Sequence, residues 1–313
     1  MDHARRTQGL IHNVNRREFL MASPPLEVPP RSDAQGSAPR CRLRLRFGVA
    51  QLDRYDPLAE VENLAAWGFD YIEPAVIKVM ARSAPQFAEA VAKVKSTSIR
   101  VEVMNSFLPA DLKVVGPQLD TPRLRDHIQQ ALAQADALGA KVIIFGAGGA
   151  RTVPDGFSKE RAWTQLQEFL RLVGDEITRR QYGMVIGIEA LQKAESNIVN
   201  RSAEAYDLVR QTNHPKIRMI VDYFHLSTEK EDPSILKQAR DYLVHIHFSD
   251  PTAGRRFPHR SRRHPGYAAF FANLREIGYH GRLSLEACTE DFQSDAPAGL
   301  AAVRALYSEA SAG

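Results

Sequence analysis

A chain of 313 residues that is 44% hydrophobic and 25% charged can bury a large core, which excludes a disordered chain. Two cysteines exclude a disulfide scaffold and give no sign of an oxidising compartment, and no apolar run approaches the ~20 residues of a membrane-spanning helix. The net charge of +4 is concentrated at one end: residues 1–46 carry nine arginines against four acidic residues, so the remaining body is close to neutral and argues against a nucleic-acid partner.

Residues 1–40 show no sustained apolar periodicity and hold five of the 18 prolines. Such a stretch cannot bury enough surface to offset its ordering entropy, which predicts a disordered leader or tail ahead of a catalytic domain over 41–313. Within it, Asn15-Arg16-Arg17-Glu18-Phe19-Leu20-Met21 resembles a twin-arginine export signal. That signal needs an apolar h-region of roughly 7–15 residues. Ala22-Ser23-Pro24-Pro25-Leu26-Glu27 follows instead, with two prolines and a carboxylate. A cytoplasmic location is expected, with periplasmic export through this incomplete leader as the alternative.

From residue 43 onward, short β-rich runs alternate with longer helical patterns. The predicted strands are Leu43–Val49, Phe69–Glu73, Ile99–Asn105, Lys141–Phe145, Met184–Glu189, Ile217–Asp222, Leu243–His247 and Arg282–Glu286. Amphipathic helices are predicted at Leu58–Trp67, Pro85–Lys95, Leu124–Leu138, Glu160–Arg179, Ala203–Arg210, Tyr267–Ile277 and Ala298–Tyr307. Several end at a glycine (Gly68, Gly139, Gly278), the residue suited to the left-handed position that closes a helix. Eight strands alternating with helices over about 270 residues match an α/β protein of the (β/α)₈ TIM-barrel class. A doubly wound open sheet would carry a glycine-rich phosphate turn after its first strand, and Phe47-Gly48-Val49-Ala50-Gln51 is no such turn. The glycines of Phe145-Gly146-Ala147-Gly148-Gly149 are expected to let the backbone turn sharply at the mouth of strand four.

In such a barrel, functional groups come from the C-terminal strand ends and the loops that follow. At or just past the predicted strand ends stand Glu73, Asn105, Gly146, Glu189, Asp222, His247 and Glu286. A single strand-end carboxylate is commonly a loop cap or an ion-pair partner. Glu189, Asp222, His247 and Glu286 stand at four consecutive ends, however, and like charges at close range repel unless a cation neutralises them. Three carboxylates and one imidazole suit one divalent metal ion with open positions. Mn²⁺ is the first expectation, with Mg²⁺, Co²⁺ or Zn²⁺ as alternatives. A thiolate-rich structural zinc site is excluded, because Cys288 alone lies nearby.

The segments Glu189-Ala190-Leu191-Gln192-Lys193-Ala194-Glu195 with Asn200, Val221-Asp222-Tyr223-Phe224-His225, His245-Ile246-His247-Phe248-Ser249-Asp250 with Arg255-Arg256-Phe257-Pro258, and Ser284-Leu285-Glu286-Ala287 carry a resemblance. Over roughly residues 43–310 the chain resembles the xylose-isomerase-like sugar isomerases and epimerases, in particular the D-tagatose/D-psicose 3-epimerases. The resemblance implies that Glu189, Asp222, His247 and Glu286 bind the metal and that Glu189 and Glu286 are the acid/base pair. It implies that His225 and Arg255 (or Arg256, one position on) bind the ketose oxygen, and that Glu195 orients a terminal hydroxyl. Proton removal beside a carbonyl gives an enediolate that a chelated cation stabilises, and two flanking carboxylates can return the proton to the other face.

Glu73 and Asn105 are expected to line the pocket as rim residues. His245, two residues before His247 and on the same face, is expected beneath the metal layer. The Arg/His run at 255–264 is expected to be a solvated loop, with a phosphate site as the alternative. The expected partner is a small carbohydrate, with no nucleic acid or membrane; homo-oligomerisation is left open. Inosose dehydration and 3-keto-glycoside lyase chemistry use the same site and are the rival reactions. An abasic-site endonuclease, which would need further metal ligands and a basic groove, and a non-catalytic sugar-binding barrel rank below them.

Overall fold

The computed structural model describes residues 44–52 and 54–309. The predicted leader over 1–40, its twin-arginine-like run and the expected domain start at residue 41 lie outside them.

Eight strands follow one another in the predicted order: β1 (Arg46–Ala50), β2 (Tyr71–Glu73), β3 (Val103–Met104), β4 (Val142–Phe145), β5 (Val185–Ile188), β6 (Ile217–Asp222), β7 (Leu243–Phe248) and β8 (Arg282–Glu286). They pair in parallel in the order β2-β1-β8-β7-β6-β5-β4-β3. Between β2 and β3 the ladder persists only as single parallel bridges, Ile72 to Val101 and Ala75 to Asn105. The ring is therefore nearly closed, and β3 is shorter than the predicted Ile99–Asn105 because it has a continuous ladder on one side only. The fold is a (β/α)₈ TIM barrel.

The helices are α1 (Val61–Trp67), α2 (Val76–Met80), α3 (Ala84–Ser96), α4 (Thr121–Leu138), α5 (Gly148–Arg151), α6 (Lys159–Arg179), α7 (Ser202–Thr212), α8 (Tyr223–Thr228), α9 (Ile235–Ala239), α10 (Gly266–Glu276) and α11 (Phe292–Glu309). Local chemistry explains their ends. Ser83 and Gln86 exchange reciprocal bonds at the start of α3, and Ser158 caps α6. Gly68 and Gly139 close α1 and α4 with φ of 90° and 87°. The sequence pattern missed α2, α5, α8 and α9. Each spans at most 6 residues, too few to display a repeat of 3.6.

Residues two apart on a strand share a face. Tyr71, Val103, Val142, Ile144 and Ile220 form a small buried cluster separate from the main core, and Gly187 abuts it, since a Cβ there would lie 2.6 Å from Ile220. Two residues further along, the same faces carry Glu73, Glu189 and Asp222; β7 and β8 contribute His245 with His247, and Ser284 with Glu286. Register sets Asp222 beside His247 and His247 beside Ser284. An apolar plug thus underlies a polar storey at the C-terminal rim. Among the described residues, no helix is long and apolar enough to cross a membrane.

Candidate functional site

Glu189, Asp222, His247 and Glu286 each offer one ligand atom, and these atoms lie within 4.8 Å of one another. All four side chains are buried. His247 Nδ1 lies 3.1 Å from Glu189 Oε1 and 3.1 Å from Glu286 Oε2. The guanidinium of Arg255 donates to Asp222 Oδ2 at 2.9 Å and also to Glu286. Three carboxylates around one imidazole and one guanidinium leave room for further positive charge. The donor set, mostly oxygen with one nitrogen, fits a divalent cation of the Mn²⁺ or Mg²⁺ kind.

Around this cluster, several polar atoms are aimed but unmatched. His225 Nδ1 accepts from the Gln192 backbone N–H at 3.1 Å, so a neutral ring carries its proton on Nε2. That Nε2 is buried without a hydrogen-bond partner among the described residues, as are Arg255 Nε and Asn105 Oδ1. His225 Nε2 sits 3.5 Å from Asp222 and 3.9 Å from Glu195. Asn105 donates to Glu286 Oε1 at 3.0 Å and to the Gln51 carbonyl at 2.9 Å. Buried polar groups are ordinarily paired, so this convergence marks where a polar ligand would complete the network.

A cavity of about 300 Å³ opens over the cluster, with Asn105, Glu189, Glu195, Arg255 and Glu286 on its polar side and Leu52, Ile77, Leu108 and Leu191 on its apolar side. A larger groove of about 880 Å³, lined by Arg54, Tyr55, Arg256, Cys288 and Phe292 among others, includes none of the four cluster residues.

Glu73 departs from the expectation. It is fully buried and does not line the cavity. One oxygen lies 2.8 Å from His247 Nε2; the other is 3.1 Å from His245 Nε2 and accepts from Ser284 Oγ at 2.5 Å. Both oxygens are satisfied by protein, because β2 delivers Glu73 beneath His247 rather than at the mouth. Glu73, His245 and His247 also have ligand atoms close enough to hold an ion, but this group is a single carboxylate against two imidazoles, fully buried, and none of the three lines the cavity. Of the two arginines considered, Arg255 reaches the cluster, whereas Arg256 pairs with Glu290. Further along the Arg/His run, Arg262 pairs with Asp250 and Arg263 with Glu309, while His264 lies 2.5 Å from the Tyr223 hydroxyl.

The glycine run after β4 also differs from expectation. The positive φ belongs to Ala147, at 42°. Gly146 and Gly148 are needed for close approach: a Cβ would lie 2.3 Å from Glu189 Oε2 and 2.4 Å from the Glu195 carbonyl oxygen, respectively. Arg151, which the sequence reading did not single out, is fully buried and donates to the carbonyls of Glu189 and Val199. These partners lie 38 and 48 residues away, so no local signal could have marked it.

Burial raises the Glu189 carboxyl pKa, with the Glu286 charge adding to it and His247 opposing it. Burial, partly offset by Arg255, lifts Asp222 to about 6. Glu286 feels the same burial, but Arg255 and His247 outweigh it and hold its carboxyl far below the usual range. Burial disfavours charging of His247, yet Glu286 and Glu73 overcome it and raise its pKa well above the ordinary value. His225 is pushed down, chiefly by burial.

Residues 61–308 match the family model described as the xylose isomerase-like TIM barrel. The chain belongs to that family. It is 34% identical over 139 residues to a 3-dehydroshikimate dehydratase of Pseudomonas putida, covering 41% of this chain and 21% of the relative. It is 26% identical over 129 residues to a D-psicose 3-epimerase of Ruminiclostridium cellulolyticum, covering 41% of this chain and 42% of the relative. The aligned part thus spans less than half the length of either relative. The solved 3-keto-D-glucoside 4-epimerase of E. coli superposes with a TM-score of 0.69 at 21% identity, covering 85% of this chain and 100% of that one, which supports the fold.

Proposed function

We propose that this family member is a divalent-metal-dependent sugar epimerase or isomerase that moves a proton at a carbon next to a ketose carbonyl. The observation that carries this reading is the convergence of three carboxylates and an imidazole, within 4.8 Å, beneath a cavity edged by unmatched polar atoms. Glu189, Asp222, His247 and Glu286 would hold the cation. Bound there, it would supply charge stabilisation for an enediolate.

The chain's own groups do the rest. Glu189 and Glu286 both line the cavity and serve as the acid/base pair. One takes the proton from the carbon; the other, having drawn a proton from solvent, gives one to the opposite face, and the roles exchange in the reverse direction. His225 Nε2–H and the Arg255 guanidinium bind the oxygen on which charge develops. Glu195, held by Gln192 at 2.8 Å, orients a hydroxyl at the far end, and Asn105 steers Glu286.

A second reading, loss of water from the same enediolate, is favoured by the 34% identical stretch shared with a dehydratase. The deciding experiment incubates the purified protein with Mn²⁺ in deuterated water against a panel of ketoses, inososes and 3-keto-glycosides. Deuterium uptake into a ketose that interconverts with its epimer is expected. Loss of water seen by mass spectrometry would transfer the assignment to the dehydratase, and absence of exchange with every compound would overturn both.

A further inference from the structure

We infer that Glu73 is a positioning residue for the cation site: its buried carboxylate fixes the His247 ring so that Nδ1 faces Glu189, Asp222 and Glu286. The inference rests on the metal reading above and extends it to a residue that touches neither cavity nor substrate.

A carboxylate only accepts, so the 2.8 Å contact with Oε1 assigns a proton to His247 Nε2. Nδ1 is then the nitrogen whose lone pair becomes available once its own proton leaves. The ring cannot flip without trading that bond for a contact between Nε2–H and the cluster. Glu73 is itself prevented from turning. Its second oxygen is held by His245 Nε2 at 3.1 Å and by the Ser284 hydroxyl at 2.5 Å, and Ser284 lies 2.9 Å from the Tyr71 hydroxyl. The His245 and His247 rings meet edge to face, with centroids 4.9 Å apart. Strands β2, β7 and β8 thus lock one carboxylate against one imidazole, and all these polar side chains are fully buried. Partners of a metal-bound imidazole commonly set its tautomer and orientation in this manner.

Glu73→Gln keeps the volume but offers an amide N–H₂ that can donate to Nε2, which would move the ring proton to Nδ1. Three quantities are measured on the full chain: Mn²⁺ affinity by competition titration, the visible absorption of bound Co²⁺, and thermal melting of the metal-free protein. Glu73→Gln should weaken Mn²⁺ by about 10–100-fold and alter the Co²⁺ spectrum. Glu73→Asp, which keeps the charge, should recover part of the affinity. A purely structural role would lower melting without moving the Co²⁺ spectrum. A Glu73→Gln protein with wild-type affinity and an unchanged spectrum overturns the inference while leaving the metal reading intact. A wild-type protein that binds neither ion overturns both. Should Glu73→Gln fail to fold, Glu73→Asp decides: weakened Mn²⁺ with a shifted spectrum supports the inference, and wild-type behaviour overturns it.

Discussion

The buried guanidinium of Arg151 donates to the Glu189 backbone carbonyl at 2.8 Å and to that of Val199 at 3.2 Å. One side chain from α5 therefore clamps both ends of the loop that follows β5. Arg151→Met keeps an apolar stem but leaves two carbonyls without their charged donor. A loss of about 2–4 kcal/mol in denaturant unfolding is expected, with weaker cation binding through the loosened Glu189. Wild-type stability together with wild-type Mn²⁺ affinity would show that the clamp is dispensable.

Gly146→Ala tests the wall on the other side of Glu189. The φ of Gly146 is not in the left-handed region, so alanine is tolerated by the backbone, but its Cβ would press on Oε2 at 2.3 Å. Displacing a reacting group by about 1 Å can cost ~10²-fold in rate. A drop of that order in turnover is expected, with melting close to wild type. Normal kinetics would mean that Glu189 relaxes without cost.

For Glu189→Gln the shape stays and the transferable proton goes. A fall in kcat of about 10²–10⁴-fold is expected, with unchanged circular dichroism and loss of deuterium exchange into the ketose. Rates near wild type would remove Glu189 from the proton transfer.

Cation affinity should rise with pH. Asp222 holds its proton up to about pH 6 in the folded protein, against an ordinary value of 3.8, and Glu189 is shifted in the same direction. Between those values Asp222 binds more proton in the folded metal-free chain than in the unfolded one, so it contributes stability at low pH that is lost as pH rises through that window, and Glu189 acts in the same direction. His225, held neutral by burial, works in the opposite sense. A divalent cation must displace the protons on Asp222 and Glu189 and the one on His247 Nδ1. Competition titrations at pH 5, 6, 7 and 8 should give stronger Mn²⁺ binding at each step, steepest below about pH 6. An affinity independent of pH would contradict the proposed ligand set.

Eight strands, seven of the helices and the polar residue at or beside the end of each of the last four strands were legible in the chain. These are near-neighbour properties: a period of two for strands, a longer apolar period for helices of several turns, and a charged residue where a buried run meets the rim. Short helices such as α5 carried no such signal. Nor did the role of the glycines after β4, since the spacing between Gly146 and Glu189 depends on two strands lying side by side.

Glu73 shows most clearly where linear reading ends. Its place at a strand end made it resemble the other rim carboxylates, but its partners His245, His247 and Ser284 are 172, 174 and 211 residues away. The order of hydrophobic and polar residues could say that a barrel forms and which four side chains meet at its rim, because closure brings consecutive strand ends together whatever the loops do. Side-chain depth, proton placement and the atoms left unmatched are set by contacts between distant strands, and those exist only once the ring has closed.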